Sequence, residues 1–441
     1  MLIEAAAAAV AVLLGAAAAS ESDAPAAARP NIVVMLADDL GYGDLGCFGH
    51  PRIKTPELDK LAAEGLKLTS LYAGAPVCSP SRAGFFSGRN PNRLGIRDWI
   101  PQGSGVFLPR DTVTTAKRLK DAGYTTCLSG KWHLNSKFNG QEPTPGDFGF
   151  DHWFATQNNT KHQDPTNFIR DSRKVGPLKG HASALVVDEA IDFIDKADGR
   201  PFAVFVTFHA PHEQIETPEA YTSMYADVPD PTTRDYYGSV SLVDHEVGRL
   251  VKAIDARGLR DETFVMFTSD NGPEGLRRYP NAVHSHGSAA PLRGMKLSMW
   301  EGGLRVPGVV RWPGRVKPGT ESAEPVVFYD LSPTFCAMAG TTPPPGDAVD
   351  GVDVTPILEG GKVENRPVPL HWQYDKALEG PWRIAVRRGP WKLLADADRK
   401  NFALYDVVAD VSETRDQAAD HPEIVKRLRD ELERVYVPLA P

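Results

Sequence analysis

The seven residues Asn31-Ile32-Val33-Val34-Met35-Leu36-Ala37 carry no charge and show no alternation of polar with apolar positions. A run so short and so apolar reads as a strand buried on both faces, the mark of a parallel sheet covered by helices on each side. The next apolar segment has the helical period instead. Thr55-Pro56 supplies an N-cap and a proline at the first helical position, Leu58, Leu61 and Ala62 form one apolar face, and Gly65 ends the segment. Leu66 to Tyr72 is the next strand, and the order of helix then strand recurs. Thr114 to Ala122 precedes Thr125 to Ser129, Ala182 to Lys196 precedes Phe202 to Phe208, and Arg234 to Arg257 precedes Thr263 to Thr268. The expected fold class is α/β, a large, mostly parallel sheet sandwiched by helices. Ligands of such sheets bind outside the carboxyl ends of the strands, so the loops leaving these runs are where chemistry is expected.

The pattern changes after Thr341. Pro343-Pro344-Pro345-Gly346 interrupts it, and beyond Gly360 short strands around His371 to Tyr374, Arg383 to Arg387, Trp391 to Leu394 and Phe402 to Tyr405 precede an amphipathic helix, Pro422 to Val437. These read as a smaller C-terminal subdomain, an antiparallel sheet plus helix. The expected division is 1–29 as signal and flexible lead-in, 30–360 as the catalytic domain and 361–441 as the C-terminal subdomain. Ala5 to Ala19 is almost wholly apolar but too short to span a bilayer. With small residues before Ser20 it fits a secretory signal, although Glu4 stands where a basic residue is usual, and a secreted or periplasmic protein is expected. Four cysteines, at 47, 78, 127 and 336, cannot frame a chain of 441 residues, so stability must come from its core. A net charge of −8 and no basic tail argue against nucleic acid as a partner.

Two acidic clusters fall just after strands: Asp38-Asp39 after the first, and Asp270-Asn271 after Thr263 to Thr268. Carboxylates this close are not all buried ionised without a cation, and an all-oxygen set suits a hard ion such as Ca²⁺ or Mg²⁺ rather than zinc. Taken singly, either cluster is equally a turn or a helix cap. Between them, Val77-Cys78-Ser79-Pro80-Ser81-Arg82 closes a strand and opens a helix, where free N–H groups favour negative charge. On its own Cys78 is also readable as a core thiol.

Cys78-Ser79-Pro80-Ser81-Arg82 followed by Ser87-Gly88-Arg89 resembles the signature of the type I, formylglycine-dependent sulfatases of the alkaline phosphatase-like superfamily. Further blocks resemble that family in its order: Asn31 to Gly46, Gly130-Lys131-Trp132-His133, Ala210-Pro211-His212, Thr268 to Gly272, and Leu292 to Lys296 with Trp300 to Pro307. The resemblance implies that Cys78 is oxidised by a maturation enzyme to Cα-formylglycine, which hydrates to a gem-diol. It implies a single Ca²⁺, with Mg²⁺ less suited, held by Asp38, Asp39, Cys78, Asp270 and Asn271. It further implies that Arg82 stabilises the diol, Lys131 and Lys296 grip the sulfate, His212 protonates the departing alcohol, and His133 takes the proton that expels inorganic sulfate. The physical demand agrees with these roles: an anionic ester repels nucleophiles, so cationic groups must cover its oxygens.

His209 competes with His212 for the acid role, and the resemblance favours His212, whose Ala210-Pro211-His212 context matches the family better. The residue pair Lys131 and His133 shares one face if its segment is extended. Trp99, His152, Trp153, Asn158, His162, Arg277, Arg278, His284, His286 and Trp300 are candidates to rim the site, with Arg277-Arg278 suited to a further anionic group or to an ordinary salt bridge. The activity expected is release of sulfate from a sulfated carbohydrate, with aryl sulfates as side substrates. The alternatives are a phosphatase or phosphonate monoester hydrolase on the same fold, and a non-catalytic binder of sulfated glycan.

Overall fold

The computed structural model describes residues 29–344, 346–347 and 349–438. The segment Ala5 to Ala19 read as a secretory signal lies outside them. Eleven strands form the main sheet: β1 (Asn31–Ala37), β2 (Leu66–Tyr72), β3 (Thr125–Lys131), β4 (His152–Thr156), β5 (Ile169–Arg170), β6 (Arg173–Lys174), β7 (Phe202–Thr207), β8 (Thr263–Ser269), β9 (Arg305–Arg311), β10 (Thr320–Ser322) and β11 (Val326–Val327). Their order is β10-β2-β9-β8-β1-β7-β3-β4-β5-β6, with β11 also on β2. The central pairs β8-β1, β1-β7, β7-β3 and β3-β4 are parallel, whereas β9 runs antiparallel to both β2 and β8.

The unbroken apolar run of β1 is explained by its neighbours. Ile32, Val34 and Leu36 pack into one core and Val33, Met35 and Ala37 into the other, because successive side chains leave opposite faces of the pleat. Helices Cys78–Ser87 and Thr115–Asp121 cover the first face, and helices Pro56–Ala63, Ala182–Asp195 and Pro231–Ala256 cover the second. Burial on both sides leaves no position of the strand where a polar side chain would be solvated.

β4 and β9 are not expected from the sequence. Pro307 argues against a central strand, since it cannot donate to a ladder. The structure accommodates it where the β2–β9 register shifts between Leu68 and Leu71, opposite no paired residue. Among the described residues no helix is long and apolar enough to cross a membrane.

The C-terminal sheet has the order β12 (Leu370–Gln373), β13 (Trp382–Arg388), β14 (Trp391–Asp396) and β15 (Phe402–Asp406), antiparallel throughout. One face carries helix Pro422–Val435 on Ile384, Val386 and Leu393 through Leu428 and Leu432. The other face sets Trp372, Ala385 and Leu394 in one cluster with Tyr72, Leu297, Trp300 and Cys78. A charged knot is buried at this junction: Lys392 Nζ donates to Glu301 Oε1 at 3.0 Å, and Tyr72 OH donates to Glu301 Oε2 at 2.5 Å. The small sheet therefore backs the loop that carries Lys296.

Candidate active site

Because β1, β2, β3, β7 and β8 all run in one direction, the loops that leave them, together with the loop entering β9, meet at one edge. Backbone bonds stitch these loops together: Asp270 N donates to Ala37 O at 3.0 Å, Asp38 N to Ala210 O at 3.2 Å, and Leu297 N to Pro76 O at 2.8 Å. Asp39 takes φ 63° and His133 φ 58°, a left-handed backbone that costs free energy and persists where the surrounding structure imposes it.

Cys78 opens helix Cys78–Ser87 after the extended Val77 and is buried. Burial pushes its thiol up to about 11, against the pull of Lys131 and Lys296. An unaltered Cys78 is thus a protonated thiol at neutral pH and a poor nucleophile. One turn on, the fully buried Arg82 donates from Nε to Asp270 Oδ2 at 2.9 Å and from Nη1 to Lys131 O at 2.7 Å. Lys131 Nζ donates to Asp38 Oδ2 at 2.6 Å, and Lys296 Nζ to Asp39 Oδ2 at 2.7 Å. Three carboxylates therefore face three cationic side chains in a region closed to water.

The donor set fits a hard divalent cation. Asp38 Oδ1 and Asn271 Oδ1 are buried with no hydrogen-bond partner, the kind of orphaned oxygens that a metal ion satisfies. Asn271 reaches the same group through Nδ2, which donates to Asp39 Oδ1 at 2.7 Å, and Asp39 N lies 3.3 Å from Asp270 Oδ1. Asp38, Asp39 and His212 also offer ligand atoms within 4.8 Å of one another. Burial and the neighbouring Asp38 push Asp270 up to about 7, whereas Lys131, His212 and Arg82 together outweigh burial at Asp38 and hold it well below the usual carboxylate range. A cation among them removes the conflict. Such a cation would compete with Lys131 and Lys296 for the carboxylates they now hold.

The histidines have distinct surroundings. His133 Nε2 lies 3.2 Å from Ile100 O, and a carbonyl only accepts, so Nε2 carries the hydrogen and Nδ1 keeps its lone pair without a partner. Burial, with Lys131 and Arg82, holds this ring well below the usual range, so it is neutral and available as a base. Lys131 ends β3, and the backbone turns left-handed at His133, two residues on. Trp132 between them packs into the core beside Phe86, and Lys131 and His133 both reach the centre.

His212 Nε2 lies 3.5 Å from Asp39 Oδ2, with Nδ1 against Glu213 O. His209 is engaged elsewhere: its Nε2 meets Thr156 Oγ1 at 2.7 Å, that hydroxyl already donates to Asn158 O, and the ring packs edge-on to Phe168. Of the two, His212 is the one beside the carboxylates.

The wider rim is narrower than the sequence suggested. His152 is held between Asp171 and Glu189, Trp153 and Trp300 are buried, His162 packs on His181, and His284 and His286 are tied to Glu213 and Thr232. Arg278 is a two-pronged partner of Glu274, at 2.5 and 2.6 Å, so the salt-bridge reading holds for it. Trp99, Asn158 and Arg277 remain at or near the surface. Two residues were missed. Asn159 Oδ1 accepts from Lys131 Nζ at 3.0 Å while its Nδ2 lies 3.3 Å from His212 Nδ1, and Glu274 Oε2 is 3.7 Å from Lys296. Only the fold brings either of them to the centre, and the one local hint was an amide pair, Asn158-Asn159, just past an apolar run.

A mostly parallel sheet between helices, a C-terminal four-stranded antiparallel sheet, and a buried anion-and-cation centre at the strand ends define an alkaline phosphatase-like hydrolase fold. Residues 30–341 match the sulfatase family model, and residues 295–437 match the C-terminal region of N-sulphoglucosamine sulphohydrolase. The chain belongs to the sulfatase family, and with it to the hydrolases of sulfuric esters. It is 36% identical to arylsulfatase A of Bos taurus over 83% of this chain and 75% of that one. It is 33% identical to N-acetylgalactosamine-6-sulfatase of Canis lupus familiaris over 84% of this chain and 72% of that one. The chain spans about two thirds to three quarters of such relatives, at 66%, 72% and 75% of their lengths. In structure it is similar to Ps i-CgsB in complex with k-i-k-neocarrahexaose, with a TM-score of 0.83, 27% identity and 92% of each chain covered. It also shares its fold with the phosphonate monoester hydrolase of Agrobacterium radiobacter, at a TM-score of 0.68 and 21% identity over 92% and 95% of the two chains.

Proposed function

We propose that this chain releases inorganic sulfate from a sulfated carbohydrate, with Cys78 converted to Cα-formylglycine and one Ca²⁺ held by Asp38, Asp39, Asp270, Asn271 and residue 78. The observation that carries the reading is the gathering of three carboxylates, two orphaned oxygens and three cationic side chains about the first turn of helix Cys78–Ser87. An oxygen-only set drawn entirely from protein suits Ca²⁺ better than Mg²⁺, which keeps most of its waters. When bound, the ion and the hydrated aldehyde supply charge neutralisation and an activated attacking hydroxyl.

The chain's own residues do the rest. Lys131 and Lys296 bind the non-bridging sulfate oxygens once the carboxylates they now hold turn to the cation. Arg82, locked on Asp270, keeps residue 78 oriented. His212 delivers a proton to the departing sugar oxygen, for which an alkoxide would be a poor leaving group. His133 holds Nδ1 ready to take the proton whose removal lets sulfate go. Asn159 Oδ1 accepts from the Lys131 ammonium and helps hold it at the centre.

The likeness to N-acetylgalactosamine-6-sulfatase and to a structure holding k-i-k-neocarrahexaose supports carbohydrate as the carrier of the ester. The Ala5 to Ala19 segment supports export to the periplasm or beyond, and the modification requires a formylglycine-generating enzyme as partner. Mass spectrometry of the peptide containing residue 78, alongside sulfate release from a panel of defined sulfated saccharides, tests the reading. Full activity with an intact thiol at position 78 refutes the mechanism, and faster turnover of matched phosphate or phosphonate esters refutes the substrate class. Glycan retained without sulfate released would instead mark a binding protein.

A further inference from the structure

Beside this centre lies a cavity of about 500 Å³ that the sulfate-releasing chemistry does not itself require. Its floor is aromatic and braced from behind: Phe168 stacks on Phe154 at 4.3 Å between centroids, and Phe138 packs on Trp153 at 5.2 Å. Its inner wall is amide. Asn159 belongs both to the cavity and to the reactive centre, since its Oδ1 accepts from Lys131 Nζ at 3.0 Å. Beside it, Asn158 Oδ1 is buried and unpartnered, an acceptor waiting for a donor. At the mouth stand Lys137 and Lys174, both exposed. Neither takes part in an ion pair among the described residues, unlike nearby Lys179, which pairs with Asp164 at 2.9 Å.

An apolar floor with a few convergent hydrogen-bonding groups is the usual make-up of a small-ligand site, and its size suits a saccharide ring. Because Asn159 both lines the cavity and accepts from Lys131, the cavity adjoins the place where a sulfate held by Lys131 would sit. The two free lysines add what a neutral sugar does not need. In a chain of net charge −8, two unpaired cations at one cavity mouth select for an anion.

We propose that the cavity is a subsite for the sugar adjoining the one that loses its sulfate, and that Lys137 and Lys174 receive a second anionic substituent on it. That substituent is a sulfate ester or a carboxylate. The assignment rests on the sulfatase reading above and extends it from a sulfated carbohydrate to a polyanionic oligosaccharide. The exposed lysines contribute through KM and not through the chemical step.

The test compares converted wild-type enzyme with Lys137→Ala/Lys174→Ala on 4-nitrophenyl sulfate and on three oligosaccharides that share the scissile sulfate. In these the neighbouring sugar carries a second sulfate, a carboxylate or no charge. For the double variant, 4-nitrophenyl sulfate kinetics stay within about twofold. KM for an anionic neighbour rises about tenfold, as two exposed ion pairs of modest strength require, and its salt dependence weakens. Whichever anionic neighbour shows the rise names the substituent. A KM that moves equally for charged and neutral neighbours, or moves for neither, overturns the proposal. Equilibrium binding of the same oligosaccharides to Cys78→Ala protein makes the comparison without turnover. Loss of reaction therefore counts against the sulfatase reading, and loss of charge preference against the subsite.

Discussion

Replacing Lys392 by Met should cost about 3–5 kcal/mol of stability at pH 8, the price of leaving buried carboxylates without their cation. Lys392 lies between Glu301 Oε1 at 3.0 Å and Glu413 Oε1 at 2.9 Å, and all three side chains are inaccessible to water. The two acids do not titrate alike. At Glu301, Lys392 and Arg305 outweigh burial and hold the carboxyl down at about 2. At Glu413 burial prevails over Lys392, and the carboxyl is pushed up to about 7. Between the ordinary glutamate value and about 7, the native chain thus keeps a proton on Glu413 that the unfolded chain has lost. Stability falls as pH rises through that window, by about 1.4 kcal/mol per unit. Glu301 contributes in the opposite sense, its share being present above the ordinary value and lost only in strong acid. Lys392→Met should accordingly cost less at pH 6, where Glu413 is neutral, than at pH 8. Lys392→Met/Glu413→Gln should recover most of the loss, since Arg305 and Tyr72 still serve Glu301. Chemical denaturation at both pH values, monitored by tryptophan fluorescence, measures all four proteins of the cycle. A Lys392→Met variant within 1 kcal/mol of wild type at pH 8, or a double variant no more stable than the single one, would show that the knot is not the buried charge cluster described.

The active centre yields further expected outcomes. His212→Ala should lower turnover of sugar sulfates by about 10²–10⁴ while sparing 4-nitrophenyl sulfate, whose leaving group needs little acid help; equal losses on both would remove His212 from the acid role. Calcium binding must displace the proton that burial and Asp38 leave on Asp270, so apparent affinity by calorimetry should weaken about tenfold from pH 8 to pH 6. A flat profile would mean that Asp270 is not a ligand. With its thiol pushed up to about 11, Cys78 in unconverted folded protein should resist iodoacetamide at pH 7.5 and react only after denaturation. Rapid labelling of the native chain would contradict the burial of Cys78.

Several of these features were legible in one dimension because local physics is sufficient for them. A seven-residue apolar run needs helices on both faces, and β1 has them. Loops that follow strands and carry Asp38-Asp39, Cys78 and Asp270-Asn271 imply one shared edge whenever those strands run in one direction, and β1, β2 and β8 do. The short strands after residue 360 announced an antiparallel sheet, since their connections are too brief for crossovers.

What escaped the sequence was anything set by pairs distant along the chain. β9 hides behind Pro307, which only a register shift against β2 makes tolerable. The left-handed backbone at His133 has no signature in its own sequence. His152, Trp153 and Trp300 looked like rim residues by type, but partners such as Glu189 and the C-terminal sheet took them out of reach. Glu274 and the cavity between Lys137 and Lys174 have no local signature and Asn159 only the faint one of an amide pair, because each is defined by a neighbour from another loop. The sequence by itself determined which chemical groups stand at the ends of the strands, since strand period and helix caps are read within a few residues. Tertiary structure alone decided which of those groups face one another, since hydrogen bonding and desolvation depend on distances that chain order does not encode.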